Sequence, residues 1–466
     1  MSAEDAATPE DSRALIAVDL GAESCRVSLL RWNGGRARIE LVHRFANAPE
    51  QRADGLRWNL GRIVAGVEEG LRKCAAIAAE GVRSIAVDGW AVDYVRLSAE
   101  GEVLEDPFCY RDPRCDVAQA ALHCKISPQQ LRKLAGIQIQ PLNTVYQLYA
   151  DRLAGAESAR WLNLPEYLLY RWSGVLAAER TNATHTGLVN LDGRWCEEIF
   201  SAMEVPLADA PRLVEPGTRL GTYGGDIAAL RGASVIAPCC HDTASAVAGI
   251  PAGGDDWAYI SSGTWSLIGT VLEKPCNSRE AASENFTNLG AAGGRVLFHK
   301  GIAGMWLLRQ CMTAWAVEDV ASLVEQAGSV PAFSPEELVD VEDADLAQPC
   351  EMPAQINIQR ARRGLPAIEG KAEMARLIFD SLAVRYAAVL RSVEQITGKK
   401  LRRIYVVGGG SQNELLNRLT AEATGFEVHR GAVESSTIGN FAVQLAAGEG
   451  NASAADVARW AARLAG

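Results

Sequence analysis

No apolar run in this chain reaches the roughly 18 residues that a membrane-crossing helix needs, which excludes a membrane span. No C-x-x-C pair occurs among the eleven cysteines and no H-x-x-x-H among the six histidines, so the usual spacings of a protein-held zinc site are missing. The cysteine number is odd, and the opening MSAEDAATPEDSR is acidic with no apolar stretch. Both argue against a secretory leader and a disulfide framework, and for free, buried thiols in a cytoplasmic protein whose residues 1–13 form a disordered tail. The pattern G-x-x-x-x-G-K-[ST] is absent as well, which removes the P-loop kinase fold. Basic residues are outnumbered, 46 Lys and Arg against 57 Asp and Glu, and the net charge of -11 argues against a nucleic-acid backbone as partner. The same charge is no bar to a nucleotide, which backbone N–H groups and a metal ion hold locally. Nothing specifies an oligomer, and a monomer is the expectation.

What is present is enough for two full-sized cores: 466 residues, 48% apolar and 22% charged. The stretch from Cys239 to Gly269 sets the reading of the rest. An apolar run ends on His241, Asp242, Thr243, Ala244 and Ser245; a Pro/Gly/Asp break follows; then a strand turns through Ser261, Ser262, Gly263 and Thr264 and returns through Trp265. Small polar residues at such a turn leave N–H groups and hydroxyls free to face an anion. A carboxylate close to a phosphate-type turn points to phosphoryl transfer.

The same turn occurs near the N-terminus, where LIAVDLGAESCRVSLL runs from Leu15 to Leu30. Superposing Gly21 on Gly263 puts Asp19 on Ser261, Ala22 on Thr264 and Ser24 on Ser266. Each copy continues alike, a helical pattern leading to a strand and a glycine turn at Arg83–Trp90 and at Arg403–Ser411. A duplicated α/β domain is therefore expected, with a nucleotide and sugar cleft between halves 14–252 and 253–466 and a cap inserted at about 110–195. Asp19 would repel a phosphate directly, so its expected role is to hold a hydrated Mg²⁺. Trp90 with Asp88 and Asp93, at the end of a buried strand, suits a sugar by stacking and by hydroxyl hydrogen bonds. Arg111, Asp112 and Arg114 read as a surface ion-pair cluster. Lys300–Leu308 reads as the start of a helix aimed at the cleft, and Gly408–Gly410 as a close backbone approach to a nucleotide.

These residues resemble the FGGY family of carbohydrate kinases, within the actin, hexokinase and Hsp70 superfamily. The resemblance runs from Leu15 to about Gly448 on VDLGAESCRVSLL, VDGWAVDYVRL, YRDPR, GIQIQPLNTVYQL, CHDTASAV, SSGTWSLIG, GMWLL and VVGGGSQNELLN. It implies two actin/hexokinase-like (ribonuclease H-like) domains and ATP-dependent phosphorylation of the C1 hydroxyl of a ketose, L-rhamnulose first, with Mg²⁺. Asp242 would be the general base, and Trp90, Ala91, Asp93, His241, Thr243 and Gly301 would meet the sugar. Ala22, Glu23, Ser24, Cys25, Arg26, Thr264, Arg309 and Gly409 match ATP-contact positions. The family commonly has Gly at Ala91 and at Cys25, Asn at Gly301 and Gln at Arg309. These departures leave the phosphoryl chemistry intact and bear on the sugar, with L-fuculose or a xylulose as the alternatives. A catalytically idle ATP-binding sensor is the reading from another class, and the retained Asp242 weighs against it.

Overall fold

The computed structural model describes residues 11–347, 351–450 and 452–465. Strand Ala14–Leu20 is buried throughout, which is why its sequence is nearly continuous apolar rather than alternating. It is central to a six-stranded sheet ordered Thr218–Thr222, Ser234–Ala237, Val82–Gly89, Ala14–Leu20, Ser24–Asn33, Arg36–Ala46. Its neighbours are parallel on the Val82–Gly89 side and antiparallel on the Ser24–Asn33 side. The second sheet repeats the plan as Thr287–Gly290, Val296–Ala303, Trp265–Leu272, Trp257–Ser262, Arg403–Val407, Glu427–Arg430. Its central strand Trp257–Ser262 is likewise antiparallel to the strand that follows it and parallel to Arg403–Val407.

Registers confirm the duplication and refine it. Asp19 lies opposite Asp88 and Arg26; Ser261 lies opposite Val407 and Leu267. The superposition through Gly21 and Gly263 thus holds in the outgoing strands and slips by one in the returning ones, so Ser24 falls on Trp265 and Cys25 on Ser266. The reason is turn length: Gly21, Ala22 and Glu23 separate the first pair of strands, and only Gly263 and Thr264 the second.

The two sheets share a core. Leu15 and Ala17 on the first and Tyr259 on the second pack in one cluster with Phe441 and Val443. The opposite faces have separate cores, one closed by helix Leu60–Ile77 and the other by helix Lys371–Thr397. Between the sheets, helices Asp242–Ala248 and Ser435–Gly448 cross closely. A Cβ at Gly439 would overlap the Ser245 carbonyl oxygen and lie 2.8 Å from Gly249 N, so only glycine permits the approach.

Three expectations change. Lys300 belongs to strand Val296–Ala303, and the helix begins only at Trp306. The N–H groups of Gly304 and Trp306 are taken by Thr264 O and that of Met305 by Gly263 O, so this helix start is capped by the hairpin rather than free for an anion. Arg111–Arg114 is not a surface ion-pair cluster: Asp112 is buried and accepts from Leu56 N and Arg114 N, while Arg114 pairs with Asp151 and covers the Phe108 ring. The disordered tail expected over 1–13 lies mainly outside the described residues; Asp11 and Arg13, which are described, pair with one another. The described cysteines are all free thiols, most of them buried, and no described helix is long and apolar enough to cross a membrane.

Candidate active site

Strand Ser234–Ala237 leads to His241 and Asp242 at the start of the helix that crosses Ser435–Gly448. The loop between is held by a buried acid at the end of strand Ala177–Glu179: Glu179 accepts from Cys240 N (2.8 Å) and Thr181 N (2.8 Å), and Thr181 Oγ1 accepts from His241 N (3.2 Å). A second buried acid, Glu166, accepts from Glu179 N and from Asn182 Nδ2. Asp242 itself keeps 38% of its side-chain surface open and is met by Thr243 Oγ1 at 3.2 Å. Its confined setting pushes the carboxyl up to about 6, against the pull of its hydrogen bonds to Thr243 and the charge of Arg26. A carboxyl so placed is open to a substrate and more basic than a solvated one, as a general base requires.

Burial pushes the Glu166 carboxyl from its usual 4.5 up to about 7. An unfolded chain ionises this group near 4.5 while the fold holds its proton until about 7, so folding stability from this residue falls as pH rises across that window. Glu166→Gln removes the penalty. Its stability relative to wild type is expected to rise from pH 4.5 to 7 by on the order of 3 kcal/mol, read from urea denaturation at each pH; parallel curves would show that Glu166 ionises normally in the fold.

Beside Asp242 lie two more carboxyls. Asp19 accepts from Arg26 Nη1 (3.0 Å) and Ser436 Oγ (2.8 Å). Asp88 is fully buried, accepts from Asn440 Nδ2 at 2.6 Å, and its Oδ1 has no partner among the described residues. Burial raises both, and each is raised further by the negative charge of its neighbours, Asp242 acting on both and Asp19 on Asp88. Arg26, also paired with Glu434 (3.3 Å), is the cation acting on all three. This set of hard oxygen donors, short of positive charge and with one buried oxygen unused, fits a divalent cation such as Mg²⁺. Among the described residues no three such groups converge to enclose a bare ion, so the fit is to a hydrated one.

Next to these carboxyls, Glu23, Arg26, Thr264, Arg309 and Gly409 line a cleft cavity of about 1120 Å³ together with Gly410, Asn413 and Arg418. Arg309 bridges the cleft walls by pairing with Glu23 at 2.9 Å. The triple glycine has a divided role. A Cβ at Gly408 or Gly410 would come within 2.9 Å or closer of Ser262, so these two let the loop lie on the hairpin, whereas a Cβ at Gly409 would meet nothing within 4 Å. Of the other ATP positions, Ala22 belongs to the first hairpin turn and Ser24 Oγ accepts from Arg44 (3.1 Å). The Cys25 thiol is fully buried against Gly21 O and pushed up to about 12 by that burial, so its side chain serves the core.

On the sugar side, Asp93 is fully buried and accepts from Trp58 Nε1 (2.5 Å), Trp90 Nε1 (3.0 Å) and Gln147 Nε2 (3.1 Å). Its oxygens hold the two indoles, 4.6 Å apart between ring centroids, and thereby fix Trp90. Ala91 is buried beside Val92, whose φ of 74° is costly for a β-branched residue and is held by Thr144 Oγ1 and Gln147 on its carbonyl. Burial lowers His241 to about 4, so the ring 3.4 Å from Asp242 is neutral; it packs on His185, and both Nδ1 atoms are buried without a partner among the described residues. A Cβ at Gly301 would stand 3.5 Å from Gln138 Oε1.

Sequence reasoning read Asp88 toward the sugar; the residues it missed are Asn440, Glu434, Ser436 and His185. The hydroxyl run Ser435–Thr437 was the available signal for the third of these, but its partners lie hundreds of residues away.

Residues 14–249 match the N-terminal domain of the FGGY family of carbohydrate kinases and residues 258–448 the C-terminal domain. A rhamnulokinase of Enterococcus faecalis is 36% identical over 453 residues, covering 94% of this chain and 90% of the relative. A rhamnulokinase of Pectobacterium carotovorum is 37% identical over 442 residues, covering 93% and 88%. In fold, a gluconate kinase from Lactobacillus acidophilus superposes with a TM-score of 0.79 at 16% identity, covering 96% of this chain and 92% of its own. With both family domains matched in order along its length, the chain belongs to the FGGY family of carbohydrate kinases and is a sugar phosphotransferase.

Proposed function

We propose that this sugar kinase transfers the γ-phosphoryl group of ATP to the C1 hydroxyl of L-rhamnulose. The observation that carries the substrate is the pair of rhamnulokinases, each more than a third identical over more than nine-tenths of the chain. In this reading Asp242 accepts the C1 hydroxyl proton as that oxygen bonds to phosphorus, and the bond from phosphorus to the β–γ bridging oxygen breaks to release ADP. Mg²⁺, held through water by Asp19 and Asp242, would supply charge neutralisation to the phosphates. Thr264 and Arg26 face the phosphates, Gly409 and Arg309 the rest of the nucleotide. Trp90, fixed by Asp93, offers a ring face to the sugar; His241 and His185 offer neutral ring nitrogens for its hydroxyls, and Gly301 leaves room beside Gln138. Positioning and charge neutralisation are what this reaction asks of a protein.

A coupled ADP-release assay across L-rhamnulose, L-fuculose and both xyluloses tests the substrate. The highest kcat/KM is expected for L-rhamnulose; a preference for another ketose would keep the phosphoryl chemistry and displace the sugar. For the nucleotide, Gly409→Ala leaves the fold intact, because the added methyl meets no protein atom, and is expected to raise KM for ATP by roughly tenfold with KM for the sugar little changed. An unchanged KM for ATP would remove Gly409 from the nucleotide site.

A further inference from the structure

Glu23 stands in the turn between strands Ala14–Leu20 and Ser24–Asn33, and it lines the nucleotide cavity together with Thr264. A carboxylate there is an unfavourable neighbour for a polyphosphate, and the repulsion grows with the charge of the ligand. The positive charge that could offset it is already committed. Arg26 is held between Asp19 (3.0 Å) and Glu434 (3.3 Å). Where helix Trp306–Ala314 begins, the N–H groups of Gly304, Met305 and Trp306 are taken by the hairpin carbonyls of Gly263 and Thr264, so they are not free for an anion. Over the whole cavity the ionisable lining is three arginines, Arg26, Arg309 and Arg418, against three glutamates, Glu23, Glu325 and Glu414, with no surplus positive charge.

Arg309 meets Glu23 from the other half of the chain. Its Nη1 donates to both carboxylate oxygens, at 2.9 and 3.2 Å, while Nε and Nη2 have no hydrogen-bond partner among the described residues. Both side chains are more than half exposed, 57% for Arg309 and 60% for Glu23. An exposed pair of this kind adds little to folding stability, so its place in the cavity matters more than its support of the fold. We propose that Arg309 sets the nucleotide affinity of this kinase through Glu23: by cancelling the carboxylate in the hairpin turn, it admits a polyanion to a cleft whose lining carries no surplus positive charge. This rests on the sugar-kinase reading and is independent of which ketose is the substrate.

Wild type, Arg309→Gln, Glu23→Gln and the double variant are compared by calorimetric titration of the purified full chain with Mg²⁺ and a nonhydrolysable ATP analogue, with Mg²⁺ and ADP, and with adenosine. Both positions are exposed, so neither substitution opens a cavity or strands a buried group. Arg309→Gln leaves Glu23 uncovered. At low salt it is expected to weaken the ATP analogue by roughly tenfold, ADP by roughly threefold and adenosine not at all, in step with ligand charge. Molar salt should shrink the first two losses to within roughly twofold. A merely structural role for Arg309 would move all three ligands alike and would not respond to salt. Glu23→Gln alone is expected to tighten the ATP analogue several-fold, because Arg309 is then uncancelled, and added to Arg309→Gln it should restore affinity to within roughly twofold of wild type. A double variant as weak as Arg309→Gln, or an equal loss for adenosine, would overturn the proposal and give Arg309 a direct contact with the nucleotide instead. Absence of nucleotide binding by the wild type would strike the kinase reading itself, and the proposal with it.

Discussion

In Asp242→Asn, sugar-dependent release of ADP is expected to fall by about 10³-fold while the nucleotide still binds, because a general base contributes about 10²–10⁴ to such a reaction. The amide matches the carboxylate in shape and can still accept from Thr243 Oγ1, so the helix start and the loop held by Glu179 should be preserved. What is lost is the ability to take the hydroxyl proton. The nearest other nitrogen base is His241 Nε2, at 3.4 Å from the carboxylate, but burial holds that ring near 4, too weak a base to substitute, and Asp19 is tied to Arg26 and Ser436. Coupled ADP release read beside calorimetric ADP binding decides the matter. Turnover within tenfold of wild type would remove the base role from Asp242, and loss of turnover in His241→Asn would then assign it to His241.

The second large effect is on stability. Gly439→Ala is expected to cost about 3 kcal/mol or more, because the new methyl would overlap a backbone carbonyl, that of Ser245, which no rotamer change can move aside. Gly249 faces the same crossing from the other helix, where an added Cβ would come within 3.0 Å of Ser435 Oγ and Gly439 N. Relief requires the helices to separate, which breaks the bonds from Ser245 Oγ to Ser436 O (3.1 Å) and from Ser435 Oγ to Ala246 O (2.8 Å). Urea denaturation measures the loss. Gly61→Ala is the control: its Cβ would find only Asn59 Oδ1 at 3.7 Å, so a neutral or slightly stabilising result is expected. Equal stability of Gly439→Ala and wild type would mean that the crossing tolerates separation.

The contrast between these two sites shows what the sequence could tell. Asp242 was legible because its neighbours are local: an apolar run, a histidine and small residues mark the end of a strand and the start of a helix within a dozen positions. The two hairpins were legible because they repeat. The one-residue slip between them was not, since turn length is set by backbone pairing that glycine and small polar residues leave open. The partners of Asp93 were not legible either, since Trp58 and Gln147, which donate to its oxygens, come from 35 residues before and 54 after. Lys300–Leu308 read as a helix because its apolar residues fit that period, while the hairpin that captures its N–H groups is a tertiary feature. Gly439 lay unremarked in a helical pattern, because a glycine required by a crossing helix leaves no mark in its own segment.

The bond from Asn440 to Asp88 spans 352 positions of the chain. During synthesis at about 5–20 residues per second, the strand carrying Asp88 therefore exists for roughly 20–70 s before its partner has been made. Through that interval Asp88 and the face carrying Leu15 and Ala17 lack the helix that covers them, and a nascent first half must remain partly open or in a chaperone's hands. Fragments ending before residue 435 should share that fate permanently, so a nonsense or frameshift lesion even near the end of the coding sequence would yield an aggregating first half rather than an independently folded one.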